Sequence, residues 1–133
     1  MAATAVGAPV GSPQEFYHTT GITDNPMTPE LFFTIYYGVR KMSREGNVSF
    51  VAGSDPVAGM KTVDGTGSNA QFGVTLHITS VSNGDLLVAD ELLSVIRRVT
   101  RGGVATSMLG NGQNAILPGV GLLAGVGRPT SIV

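Results

Sequence analysis

Cysteine and tryptophan are both missing from the 133 residues, and charged side chains make up only 13% of them. The lack of cysteine excludes a disulfide framework and a thiolate zinc site. Eight basic residues oppose nine acidic ones for a net charge of −1, so no overall field draws the chain to nucleic acid or to an anionic membrane. A long hydrophobic run is missing too. The most apolar stretch, 115–126, is interrupted by Pro118, Gly119, Gly121 and Gly125 and falls short of the roughly 20 residues that span a bilayer as a helix. Residues 1–17 carry no basic n-region and mix their apolar positions with Gly and Pro, so they read as a flexible tail, not a signal peptide. These absences leave the compartment open and favour the cytoplasm.

What the chain does have is 42% hydrophobic residues and 19 glycines. Short apolar runs punctuated by glycine suit strands and tight turns, since glycine alone takes positive φ without steric cost. The class predicted is all-β.

An internal repeat organises the chain. The segment from Val39 to Gly53 returns as Ile96 to Gly110, with Arg40/Arg97, Arg44/Arg101, Gly46/Gly103 and Gly53/Gly110 identical at a spacing of 57. Upstream the match continues at 56, pairing Gly21 to Thr23 with His77 to Thr79 and Leu31 to Phe33 with Leu87 to Ala89. Such periodicity marks a repeat architecture. In the second copy four strands are predicted, at 74–81, 85–90, 94–100 and 104–109. The pair Asn83-Gly84 between the first two predicts a type I′ hairpin, which needs positive φ at both central residues.

The residues Asn83-Gly-Asp-Leu-Leu-Val-Ala-Asp90, followed by Val95-Ile-Arg-Arg-Val-Thr-Arg-Gly-Gly-Val104, resemble the NHL repeat. The segment Val63 to Phe72 resembles the Asp-Gly-x-Gly-x-x-Ala-x-Phe linker that joins blades in its long form. The likeness covers 18–133 and is sharpest over 63–110. It implies a partial β-propeller: two blades of three- to four-stranded antiparallel sheet plus an unpaired terminal strand. The blades are expected at 18–53 and, with the inter-blade loop, at 54–110, with a linker and the first strand of a third blade at 111–133. Thr34 stands where the repeat's Asp90 is expected in the first copy, and the tip Glu91 to Val95 is unusually apolar at Leu92 and Leu93.

Function is less legible. His18 and His77 have no nucleophile at a diagnostic spacing, and Asp64-Gly-Thr-Gly-Ser68 lacks the Lys-Ser/Thr of a phosphate loop. No catalytic residue, metal or cofactor is expected. Asp90 reads as a structural carboxylate that accepts backbone hydrogen bonds at its turn, beside the turn residues Asn83 and Gly84. Six basic residues, Arg40, Lys41, Arg44, Arg97, Arg98 and Arg101, fall at equivalent positions in the two copies and, with Leu92 and Leu93, form a candidate interaction surface. Alternation along a strand nevertheless sends Arg97 and Arg98 to opposite faces.

A blade buries its faces only against its neighbours. The reading is therefore a non-enzymatic module for protein–protein interaction or assembly, associating with a partner or with itself and without a membrane role. An RNA surface along the basic stripe and a fragment of a larger propeller enzyme of the lyase or hydrolase type are the alternatives.

Overall fold

The computed structural model describes residues 19–54 and 61–133. The tail expected over 1–17, together with His18 and part of the inter-blade loop, lies outside the described residues. Apolar alternation broken by glycine turns produces two antiparallel meanders. The first sheet has the order β1 (Thr19–Asn25), β2 (Thr28–Ile35), β3 (Gly38–Met42), β4 (Val48–Gly53). The second runs β6 (Thr75–Ser80), β7 (Leu86–Asp90), β8 (Val95–Val99), β9 (Val104–Leu109), and the short β5 (Gly65–Thr66) adds to the outer edge of β9. A separate ribbon pairs β10 (Ile116–Leu117) with β11 (Gly125–Val126). The only helical pieces among the described residues are single 3₁₀ turns at Gly67–Asn69 and Gly121–Leu123. The protein is all-β, and neither sheet closes into a barrel.

One turn differs from its expected type. The Gly84 amide donates to Val81 O at 2.8 Å and the Val81 amide to Asp85 O at 2.9 Å, with Gly84 at φ 86°. Ser94 is the only non-glycine residue with positive φ among those described, so Asn83 is not in the left-handed region and the turn is not type I′. It is instead a three-residue loop closed by a glycine bulge. Gly46 at φ 87° and Gly103 at φ 89° close the β3–β4 and β8–β9 loops the same way. Asn83 acts through its side chain, whose Oδ1 accepts the Asp85 amide at 3.0 Å.

The repeat extends to irregularities. Register shifts lie between Val39 and Arg40 in the first sheet and between Ile96 and Arg97 in the second, so the identical arginines follow identical bulges. Gly53 and Gly110 sit at φ 111° and 106°, and a Cβ on either would lie 2.4 Å from a carbonyl oxygen, of Tyr37 or Ser94. The ladders also correct one pairing of the two copies. Phe33 opposes Arg40 as Val88 opposes Arg97, which makes Phe33, not Phe32, the counterpart of Val88. By the same register Ile35 is the counterpart of Asp90, displacing Thr34 from that position by one residue, so every side chain of β2 changes face relative to the expected alignment.

Alternation then assigns the faces. Ile78, Val88, Arg97 and Ser107 form one cross-strand row of the second sheet. That face packs on Phe32, Val39 and Ala52 of the first sheet in a single buried cluster that also takes in Ala70 and Phe72 of the linker. Each large apolar side chain buried there contributes about 1.5–3 kcal/mol. Hydrogen bonds fix the junction at both ends. Thr75 donates its amide to Tyr36 O at 2.8 Å and its hydroxyl to Ile35 O at 3.0 Å, while its own carbonyl accepts Thr20 Oγ1 at 2.7 Å. At the far end Asn25 Nδ2 donates to Gly84 O at 2.9 Å. Gly21 passes so near the Cα of His77 that a Cβ there would be 3.1 Å from it.

Candidate interaction surface

Arg97 leaves the surface assigned to it. Its place in the Ile78–Ser107 row turns it inward, and it is fully buried. Nη2 donates to Val63 O at 2.9 Å and to Asp64 Oδ1 at 3.0 Å, Nη1 donates to Gln71 O, and the guanidinium stacks over Phe72 with its carbon 4.4 Å from the ring centroid. Val63 and Gln71 also bridge each other through their backbones. The arginine therefore clamps both ends of the linker loop that precedes its own sheet. Burial pulls its pKa down from the ordinary guanidinium value against the opposing pull of Asp64 and Asp90, and it stays a cation at physiological pH.

The rest of the basic set disperses. Arg98, on the opposite face, pairs with Asp85, its Nε 2.6 Å from Oδ2. Lys41 pairs with Glu30 at 3.0 Å, and Arg40 stacks on Phe50 with its carbon 3.4 Å from the ring centroid. Arg44 and Arg101 are exposed on separate hairpin tips. These residues form no continuous cationic stripe among the described residues. Leu92 is exposed, and Leu93 folds back so that its Cγ would lie 2.7 Å from a Cβ on Gly73.

Asp90 is fully buried. Its Oδ2 accepts the Gly73 amide at 2.7 Å and its Oδ1 the Leu93 amide at 3.1 Å, so it ties the entry of β6 to the turn after β7. Burial raises its pKa above the usual carboxylate range, outweighing the two amides and Arg97 that favour the charged form. Among the described residues no three His, Asp or Glu side chains converge on a point where a metal could sit, and no helix is long and apolar enough to cross a membrane.

A feature that the sequence reading missed lies at the C-terminal end. The linker motif Gly65-x-Gly67-x-x-Ala70-x-x-Gly73 returns as Gly119-x-Gly121-x-x-Ala124-x-x-Gly127. The two loops share their backbone: Gly67 and Gly121 have φ 58° and 55°, and the residues flanking each 3₁₀ turn agree within 10°. Their outward residues differ in kind. Thr66, Ser68 and Asn69 of the first loop become Val120, Leu122 and Leu123 of the second, all exposed, with Leu123 at 80%. Only the glycines and the alanine are shared, and the change of the outward positions from polar to apolar hid the match behind an apolar run. An open groove lined by Val63, Asp64, Ser107, Gly110 and Leu122 separates the two loops.

No family model and no curated protein matches the chain. Among solved structures, a protein of unknown function from Bacteroides caccae is similar over 74% of this chain, at 13% identity and a TM-score of 0.26, and the matched part is 47% of that protein. A score of that size is too low to assign a shared fold.

Proposed function

We propose that the chain is an NHL-like propeller segment that serves as a protein–protein interaction or assembly module and not as an enzyme. The observation that carries this reading is the apolar conversion of the second linker loop. A loop whose backbone matches a polar, solvated copy within the same chain has no folding need for Val120, Leu122 and Leu123 in water, and exposed apolar patches of this kind mark surfaces that a partner covers. The register of glycine turns, the repeated bulges and the sharp NHL-like motif over 63–110 support the propeller part of the reading.

The test restores the residues of the first loop. An environment-sensitive apolar dye should bind the folded chain, and Leu122→Ser with Leu123→Asn should abolish most of that binding without moving the melting temperature. Dye binding that is unchanged in the double variant would remove this loop from any interaction role.

A further inference from the structure

The junction between the two sheets is built from two surfaces, and the repeat supplies each of them a second time. On the second sheet Ile78 is 1% exposed because the first sheet covers it; its counterpart Ile22, on the same face of the first sheet, is 60% exposed. On the first sheet Val51 is 7% exposed at the bulge of β4, beneath the second sheet and its linker, and its counterpart Met108 is 43% exposed at the bulge of β9. The row that Ile22 begins continues through Phe33 and Arg40 to Phe50, and Phe50 is 47% exposed. One end of the molecule thus presents the leading half of a junction and the other end the trailing half, with the apolar loop bearing Leu123 beside Met108.

We propose that the partner is a second copy of this chain, docked head to tail so that the Ile22–Phe33–Phe50 row of one copy covers Met108 and the loop at Leu123 of the next. The internal junction is the template for Ile22, Phe33 and Met108, whose repeat counterparts Ile78, Val88 and Val51 are buried there; the apolar loop adds a contact that its polar counterpart, exposed in the internal junction, does not make. The interface is heterologous, joining different patches on the two copies. In the internal junction Gly21 lies against His77, while the corresponding site on the trailing side is held by the segment around Ile132. There the Ile132 amide donates to His77 Nδ1 at 3.1 Å, without strand pairing. That lightly held segment occupies the place of the incoming β1 and gives way to it. This inference rests on the assembly reading above and adds the identity of the partner and its polarity.

Sedimentation of the full chain at rising concentration tests it. The wild-type mass should climb above the monomer by tens of micromolar. Ile22→Asp and Met108→Asp alter exposed side chains at opposite ends, and each should weaken association at least tenfold while leaving the melting temperature unchanged. An equimolar mixture of the two variants should restore a dimer, because each still carries the surface that the other lacks. Removal of residues 129–133 should tighten association. A wild-type chain that stays monomeric while the dye still binds at Leu122 and Leu123 would overturn the second-copy partner and leave the interaction module standing. A variant mixture that does not dimerise, or a truncation that weakens association, would overturn the head-to-tail arrangement.

Discussion

Replacing Arg97 separates packing from charge in the linker clamp. The guanidinium makes three hydrogen bonds to Val63 O, Gln71 O and Asp64, gross gains that largely replace bonds each group makes to water in the unfolded chain. Against them stands a desolvation penalty of several kcal/mol for a fully buried cation, increased by an Nε that is buried without a partner. The two carbonyls keep each other's amides when the arginine is gone, and Asp64, with its side chain 53% exposed, keeps the Ser107 amide and hydroxyl and gains water in place of the guanidinium. The polar side therefore nearly balances, and the stack on Phe72 decides the outcome. Arg97→Ala, which opens a cavity, should cost about 3 kcal/mol, roughly 10 °C in melting temperature at this chain length. Arg97→Met, which refills most of the volume, should cost about 1 kcal/mol or less. Urea midpoints of the two variants decide the matter. A methionine variant as unstable as the alanine one would show that the hydrogen-bonded fork, not packing, holds the loop.

Two further outcomes follow from single residues. Asp90→Ala should destabilise by about 1–3 kcal/mol, because the Gly73 and Leu93 amides lose their acceptor. Asp90→Asn tests the sign of its pH effect: the raised pKa means that the folded chain holds a proton the unfolded chain has released, so stability from this group is present at low pH and fades as pH rises through the folded value. The advantage of wild type over the asparagine variant in urea should be larger near pH 4 than near pH 7, and an advantage that grows with pH would reverse the assignment. Gly53→Ala should cost at least about 2 kcal/mol, since its positive φ is joined by a carbonyl 2.4 Å from the new methyl. Gly67→Ala, at positive φ with nothing within 4 Å, should cost only about 1 kcal/mol; equal losses in thermal melts would show that crowding contributes nothing.

Strands β6 to β9 were legible to within one residue, because each is bounded by a glycine bulge or a polar turn, whereas the two-residue β5 was not foreseen. Turn type was not, since Asn-Gly fits both a two-residue and a three-residue loop and only the amide of Gly84 chooses between them. Alternation separated Arg97 from Arg98 but could not say which faces inward. That phase is set by the bulge after Ile96 and by the loop that delivers Phe72 to the guanidinium, a contact 25 residues distant in sequence. The one-residue slip in matching β2 to β7 arose from the unequal β1–β2 and β6–β7 loops, which a repeat alignment absorbs as a gap at the wrong place. The second linker loop was present as a glycine pattern and went unread because its outward side chains had changed character.

The polar anchors between the sheets bear on how tandem repeats avoid mispairing during folding. Similar neighbouring units invite exchange of one for another, and apolar faces alone discriminate poorly between near-identical partners. Asn25 reaching Gly84 at one end and Thr75 gripping Ile35 and Tyr36 at the other act as a two-point key. At the repeat position of Asn25 the second sheet carries Val81, which has no side-chain amide to offer. The contact within the chain is thus keyed and lasting, whereas any contact built from the outer copies of the same surfaces lacks the Asn25 pin and is exchangeable.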